Sequence, residues 1–481
     1  MTRENVGMTD SRLAIVVLAA GQGTRMKSSR PKVLHELAGV PLLGHVLATA
    51  RELAAAHVVT VVRHERDVVA AAVEEFLPEA LIVDQDDIPG TGRAVQVAID
   101  ALPGGFEGDV VVVSGDVPLL DAATLSGLLE AHRGATAAAT LLSAIVDDPT
   151  GYGRVVRDAD GAMSRIVEHR DASDDERAIR EVNSGTYVFT VTALRARLPR
   201  LGSNNDQGER YLTEVVEMLH GDGEAVEAVP VPEPWLVEGI NDRVQLSRAA
   251  ARLNAMIVRG WQLAGVTVHD PSSTWIDLRA TLAEDVELLP NVHVAGATTI
   301  ARGATIGPDT TLLDCEVGED AVVKRADATL AVIGAKASVG PFAYLRPGTE
   351  LGEGGKIGTY VETKNVKIGA GSKVPHLSYV GDATIGEGTN IGAGAITANY
   401  DGVNKHRTTI GSHVHTGTHN SFVAPVTIGD DATVGASTVV RRDVPAGALA
   451  VSVAQFKVVD GWTARHHEAA TAKKAAADAQ D

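Results

Sequence analysis

The stretch LAAGQGTRM, Leu18 to Met26, sets small residues and two glycines directly after the apolar run Leu13 to Leu18. Such residues let backbone N–H groups approach a phosphate or a base closely. Arg25 and Lys32 follow Gly21 within eleven residues. Two cations beside a glycine loop suit a nucleoside triphosphate better than a dinucleotide, whose fingerprint needs a third glycine where Met26 stands. Asp116, in SGDVP, ends the apolar run VVVV and offers a carboxylate to Mg²⁺; Asn241, in VEGINDR, offers a neutral oxygen. Singly, each reads as a turn or cap residue. The glycine loop, Arg25 with Lys32, Gly90-Thr91-Gly92 and Asp116 together point to phosphate chemistry. Far along the chain, His376 in PHLSYVGD breaks a repeat with a polar ring. Imidazole, with an unperturbed pKa of about 6.5, suits proton removal near neutrality.

Two kinds of element must position these groups. From Leu13 to about Val237, short β-branched runs (LAIVVLAA, HVVTVVR, EALIVDQ, DVVVVSGD) alternate with helical stretches. That pattern implies a mainly parallel α/β sheet covered on both faces, with ligands outside the carboxyl ends of its strands. LAAGQGTRM, QDDIPGTG and SGDVP all follow strands and are expected to line one mouth. Val244 to Gly265 reads as one long helix, with Leu246, Ala250, Leu253, Ile257 and Trp261 along one side. Beyond it, mostly aliphatic residues recur every six positions: Ile300, Ile306 and Leu312; Ile333, Val339, Leu345, Leu351 and Ile357; Ile410, Thr416, Phe422, Ile428, Val434 and Val440. A hexad period fits a parallel β-helix in which each hexad is one side of a triangular coil. NYDGVNKHRT, between Thr397 and Ile410, is expected to loop out of it. The expected divisions are a disordered tail over 1–12, a nucleotide-handling α/β domain over 13–243, a linker helix over 244–264, a hexapeptide-repeat β-helix over 265–462 and a flexible tail over 463–481.

The 481 residues carry a net charge of −19, which argues against a general affinity for nucleic acid or anionic membrane. An anionic substrate must then be held by a local cluster of cations. Aromatics are only 4% while glycines number 49, so the core is filled by small and aliphatic side chains in closely layered backbone. The single Cys315 excludes an intramolecular disulfide and reads as a buried, inert thiol. No apolar run approaches the ~18 residues of a membrane helix, so the cytoplasm is the expected compartment.

LAAGQGTRM with PKVLHELAG resembles the sugar-nucleotidyltransferase signature, and QDDIPGTG, SGDVPLL, DPTGYGRVV, IVEHRDA, EVNSGTYVF and VEGINDRVQLS follow in that family's order. With the hexad half, the chain from Leu13 to Trp462 resembles the bifunctional N-acetylglucosamine-1-phosphate uridylyltransferase/glucosamine-1-phosphate acetyltransferase family. The resemblance implies a Rossmann-like nucleotidyltransferase domain followed by a left-handed β-helix that assembles as a homotrimer. It implies that Leu18, Ala19, Ala20 and Gly21 cradle UTP, that Gln85, Gly90 and Thr91 read uracil, and that Ser114 and Gly115 accompany Asp116 in the nucleotide site. Gly153, Glu168 and Asn183 would hold the sugar, Asp116 and Asn241 the Mg²⁺, and Arg25 and Lys32 the triphosphate charge. In the rear half it implies His376 as general base on glucosamine-1-phosphate, with Arg346, Lys364, Tyr379 and Asn390 around that sugar phosphate. Ala393, Asn399, Tyr400, Thr418, Ala436 and Val453 would contact acetyl-CoA.

The pattern departs from the family at Gln22, often Lys; at IPGTGRA, where Ile88, Pro89 and Arg93 are unusual; at Thr418, often Ser; and at Val453, where some relatives carry Arg, with Lys457 the nearest substitute. The rival readings are a monofunctional sugar-1-phosphate nucleotidyltransferase whose β-helix serves assembly or regulation, a non-enzymatic scaffold, and an NAD-dependent dehydrogenase. The first is disfavoured by His376, Asn399 and Tyr400, the second by Asp116, Asn241 and the cation pair, the third by the missing glycine. His413, His415 and His419 are expected to decorate a strand face and its turn rather than to bind metal.

Overall fold

The structure, a computed structural model, describes residues 9–453 and 457–478. It divides into two compact units, Met1–Thr281 with His293–Ala297 and Leu282–Val292 with Thr298–Asp481.

The first unit is built on a nine-stranded sheet. Its strands are β1 (Asp10–Leu18), β2 (Ala55–Val62), β3 (Leu81–Asp84), β4 (Asp109–Ser114), β5 (Ala139–Ile145), β6 (Arg154–Arg157), β7 (Met163–Val167), β8 (Glu181–Thr190) and β9 (Val226–Pro230). The order β9-β5-β8-β4-β1-β2-β3 is parallel except around β8, which runs antiparallel to β4 and β5; β6 and β7 form a ribbon on β8. Successive residues of β1 and β4 serve opposite faces. Ala14, Val16, Val110 and Val112 pack into one core, and Leu13, Ile15, Val17, Val111 and Val113 into the other. This is why the runs are continuously apolar.

Strand β1 begins at Asp10 rather than Leu13. Asp10 N–H bonds Ala54 O and the Asp10 carboxylate pairs with Arg133, so polar residues conceal the strand's first turn in the sequence. The expected tail over 1–12 is therefore corrected from Asp10 onward, and its residues 1–8 lie outside the described residues.

The long helix runs Arg243–Leu263, capped by Asp242, which accepts from the N–H groups of Val244 and Gln245. Leu246, Ala249, Ala250 and Leu253 rest on Leu37, Leu42 and Ile240. Its fully buried positions are Asn254 and Val258, one residue beyond the expected Leu253 and Ile257. Asn254 is buried because it is satisfied: it donates to Thr274 O at 2.7 Å and accepts from Ile276 N–H at 3.1 Å. These bonds tie Thr274–Ile276 to the helix, and the first unit extends past the change of sequence pattern at 265.

The second unit is a stack of parallel coils, the parallel β-helix expected from the hexads and the left-handed form implied by the family resemblance. Every hexad residue named above is buried, and partners lie 16–18 residues apart: Leu312 opposite Ala328, Ile333 opposite Leu351, Ile410 opposite Ile428. Three hexads thus close one turn. Ile385 pairs with Ile410, 25 residues on, so this coil carries about seven extra residues. They are the expected excursion, exposed from Tyr400 to Lys405. Glycine follows the inward aliphatic because coils touch there: a Cβ on Gly334 would lie 2.7 Å from the carbonyl carbon of Gly352. Cys315 is buried, and burial pushes its thiol pKa up.

The flexible tail expected over 463–481 is corrected for its described part, a helix over Trp462–Asp478 whose side chains through Ala477 are exposed. Its alanines carry high intrinsic helix propensity. Residues 479–481 lie outside the described residues.

Candidate active sites

The strand ends of the first unit converge as expected. Leu18 faces Val61 and Ser114, Gln85 N–H bonds Val62 O, and Gly115 N–H bonds Leu18 O. Between them opens a cleft of about 380 Å³ lined by Leu18, Ala20, Gly21, Gln22, Lys32, Gln85, Gly90, Thr91, Ser114 and Asp116, among others. A cavity of about 790 Å³ elsewhere in this unit, walled by Tyr152, Trp235 and Arg252, contains none of the expected site residues.

The cleft's charge is organised around Lys32. Its ammonium donates to Asp116 Oδ2 and, at 3.2 Å, to Asn241 Oδ1, which also accepts from Arg25 Nη2 at 2.8 Å. Gly23 makes the approach possible, because with φ +64° its Cβ would fall 2.4 Å from that of Lys32. One carboxylate oxygen and one amide oxygen thus already converge on a cation. Such hard oxygens suit a divalent ion that takes its other ligands from phosphates and water. Among the described residues no group of three or more His, Cys, Asp or Glu could hold a metal by itself.

Gly90 is packed closely at one edge of the cleft: at φ +114° its Cβ would meet Arg210 O at 2.3 Å. Gln85 Nε2 donates to Ile88 O and Gly90 O, while Arg93 pairs with Asp86 at 2.6 Å. The unusual Arg93 is thereby engaged at the loop's outer side.

Gly153, Glu168 and Asn183 also come together. A Cβ on Gly153 would lie 3.4 Å from Glu168 Oε2 and 3.5 Å from Asn183 Cβ. Asn183 Oδ1 accepts from Gly185 N–H and from the buried Tyr187 hydroxyl. Burial raises the Glu168 pKa, reinforced by Asp171 and opposed by a hydrogen bond from Thr213.

In the second unit, His376 ends the strand Lys373–His376 on the outside of the coil, and Gly394 N–H bonds its carbonyl from the next coil. Ala393, Thr418 and Ala436 continue that corner upward: His419 N–H bonds Ala393 O and Ser437 N–H bonds Thr418 O. The expected base and the expected acetyl-CoA contacts Ala393, Thr418 and Ala436 therefore form one column. Around it, Arg346 pairs with Glu362 at 2.9 Å. Tyr379 stands opposite Glu362 on one side and Ile396 on the other. Asn390 bridges Lys373 and His415. Tyr400 is exposed on the excursion, whereas Asn399 is buried at its root. Val453 is 90% exposed. His413 and His419 occupy left-handed turns and His415 a strand.

Residues 15–220 match the family described as MobA-like NTP transferase domain. The chain is 62% identical to the bifunctional protein GlmU of Clavibacter sepedonicus, over 98% of this chain and 95% of that one. It is 63% identical to the protein of the same name from Leifsonia xyli subsp. xyli, over 98% and 96%. With that of Mycobacterium sp. (strain KMS) it shares 52% over 99% and 96%.

The chain belongs to the GlmU family. It is accordingly an enzyme of the uridylyltransferase/acetyltransferase kind that its motifs resemble. Several residues of this chain stand beside the expected site residues without having been singled out by sequence. Thr213 meets Glu168 from a separate helix, and Arg154, 1% exposed, donates to Tyr152 O, His169 Nδ1 and Arg177 O beside Gly153. Burial pushes that guanidinium's pKa down. In the coil, Lys405 stands beside Lys364 and pushes its ammonium pKa down, against the pull of Asp382. Lys405 was findable as a cation in NYDGVNKHRT; the others show their places only through burial.

Proposed function

We propose that the two sites act in sequence: the rear coil acetylates glucosamine-1-phosphate, and the front cleft joins the product to UTP. In the rear, the sugar amine attacks the thioester carbonyl of acetyl-CoA. A C–N bond forms, the C–S bond breaks, and His376 takes the amine proton as CoA leaves. Arg346 and Lys364 hold the sugar phosphate, Tyr379 and Asn390 the ring, and Ala393, Asn399, Tyr400, Thr418, Ala436 and Val453 the cofactor side. The coil-by-coil stacking of His376, Ala393, Thr418 and Ala436 supports this assignment, because it sets an imidazole at the foot of a row of residues from successive coils, along which an extended ligand can lie.

In the front, a phosphate oxygen of N-acetylglucosamine-1-phosphate attacks the α-phosphorus of UTP and pyrophosphate leaves. No protein nucleophile is needed, since the attacking group is already anionic. Leu18, Ala19, Ala20 and Gly21 admit the nucleotide backbone, Gln85, Gly90 and Thr91 face the base, and Ser114 and Gly115 line the floor. Gly153, Glu168 and Asn183 hold the acetylated sugar. Lys32 and Arg25 neutralise the charge that builds on the phosphates. Asp116 and Asn241 would hold Mg²⁺, which when bound supplies further neutralisation of phosphate oxygens.

We further propose a homotrimer through the coil. Phe342 and Tyr360 stack at 5.3 Å in successive coils while half-exposed, with Leu377 also exposed, and such an apolar column next to His376 suits cover by a second copy. Both co-substrates are cytoplasmic metabolites, and we place the reactions there.

The test is to incubate purified protein with glucosamine-1-phosphate, acetyl-CoA, UTP and Mg²⁺. UDP-N-acetylglucosamine, CoA and pyrophosphate are the expected products. Uridylyl transfer without CoA release from glucosamine-1-phosphate would leave only the monofunctional alternative.

A further inference from the structure

The corner that follows Lys364 carries a polar ladder with a buried anion at its centre. Asp382 is 8% exposed and sits at φ +48°, on a coil between Asn365 and Asn399. Asn365 Nδ2 donates to its Oδ1 at 2.6 Å from one side, and Asn399 Nδ2 donates to its Oδ2 from the other. Lys364 Nζ lies 3.9 Å from that same Oδ2. Burial works to raise the Asp382 pKa, but the two amides, with the charges of Lys364 and Lys405, hold the carboxyl below the usual carboxylate range. A carboxylate so enclosed stays ionised and accepts several charge-assisted bonds at fixed geometry.

What it fixes matters more than that it is fixed. Asn399, which follows the strand Ile396–Ala398, is the last buried residue before the chain leaves on the excursion that bears Tyr400 and Lys405. Lys364 is the cation assigned to the sugar phosphate. We propose that Asp382 is a positioning residue for acetyl transfer: one carboxylate sets the distance between the sugar-phosphate cation Lys364 and the cofactor-side amide Asn399. Resting on the two-site reading, the inference adds a residue to it. An amide at this position would present an NH₂ to one neighbouring Asn and remove the charge that restrains Lys364.

The experiment uses the full chain and Asp382→Asn, Asn399→Ala and the double variant. Asp382→Asn should lower acetyl-transfer kcat/KM about 10- to 100-fold, as expected for charge-assisted hydrogen bonds to a buried group. KM should rise for both glucosamine-1-phosphate and acetyl-CoA, because the carboxylate touches both halves of the site. Uridylyl transfer from N-acetylglucosamine-1-phosphate should be unchanged, which reports a folded front unit. The double variant should lose little more than the worse single variant. Additive losses, or a KM rise confined to one substrate, would overturn the proposal. Should Asp382→Asn not fold, Asn399→Asp, which sets a second carboxylate against the first, must reproduce the paired KM rise. His376→Ala separates the readings: if it retains full acetyl transfer, the site assignment itself fails, whatever Asp382 does.

Discussion

At Gly21 an added Cβ would meet nothing within 4 Å; at Gly352 it would meet the backbone nitrogen of Ala370 at 2.7 Å. The first unit keeps space open beyond its strand ends, and the second closes its space on itself. A parallel sheet leaves a mouth where strands stop, so the front site is a cleft with charges set at its floor. A coil filled by its own aliphatics has no interior to offer, so the rear site has to be assembled on its outside from corners of successive coils. Charge follows the same division. In front, the cations Lys32 and Arg25 meet Asp116 and Asn241 across 84 and 216 residues of sequence. Behind, Asn365, Asp382 and Asn399 meet at steps of one coil.

The sharpest way to break this comparison is to disable each site alone. Asp116→Ala should lower uridylyl transfer about 10³-fold and leave acetyl transfer intact; His376→Ala should do the reverse. Separate assays with N-acetylglucosamine-1-phosphate and with glucosamine-1-phosphate read the two losses. Parallel loss of both activities in a well-folded variant would mean that the units do not act as two sites.

Next in size is the glycine contrast itself. Gly352→Ala forces a methyl against the neighbouring coil's backbone and should cost about 1–3 kcal/mol of stability, read from denaturant unfolding. Gly21→Ala should leave unfolding within about 0.5 kcal/mol and instead raise KM for UTP, because the space it fills is where a ligand's phosphate must come. Equal destabilisation by the two would show that both glycines serve packing.

These two glycines also show what the sequence displays and what it conceals. The hexad rhythm was readable because one face of every coil side repeats an aliphatic, and the excursion because the rhythm stops. The mainly parallel sheet was readable from apolar runs buried on both faces. Strand β1 was read three residues short, since Asp10, Ser11 and Arg12 look like loop until Arg133 pairs with Asp10. The terminal helix was missed because alanine and lysine suit a frayed tail and a helix alike. The meeting of Lys32 and Asp116 was readable because their loops follow strands of one mainly parallel sheet; Asn241 alone reads as a turn residue, and the motif resemblance is what ties it to Asp116. Arg154 and Asp382 had no local signal at all. Their meaning comes from burial, which partners distant in sequence decide.

A smaller effect sharpens the electrostatic side. Glu168 has its pKa raised by burial and then by Asp171. The folded chain therefore binds that proton more tightly than the unfolded chain, and its stability falls as pH rises from the unfolded value of about 4.3 through the raised folded one. Glu168→Gln removes this slope. The variant should gain on the parent as pH climbs through that window, while its KM for N-acetylglucosamine-1-phosphate rises. A stability difference flat with pH would deny the buried charge.

The smallest effect belongs to the excursion. Asp401 accepts from the N–H groups of Asn404 and Val403 and from His406 Nε2 at 2.7 Å, and these bonds pull its pKa down to about 2. Because the group is exposed, it shapes the loop more than it stabilises the coil. Asp401→Ala should leave global unfolding unchanged and raise KM for acetyl-CoA a few-fold, since Tyr400 loses a fixed platform. In the parent, the bonds are retained above the unfolded carboxylate value of about 3.9 and lost only as pH falls through about 2, so the KM difference should hold across neutral pH. If KM for acetyl-CoA is unmoved, the excursion's own turn does not order the cofactor side, and the buried root at Asn399 must do so alone.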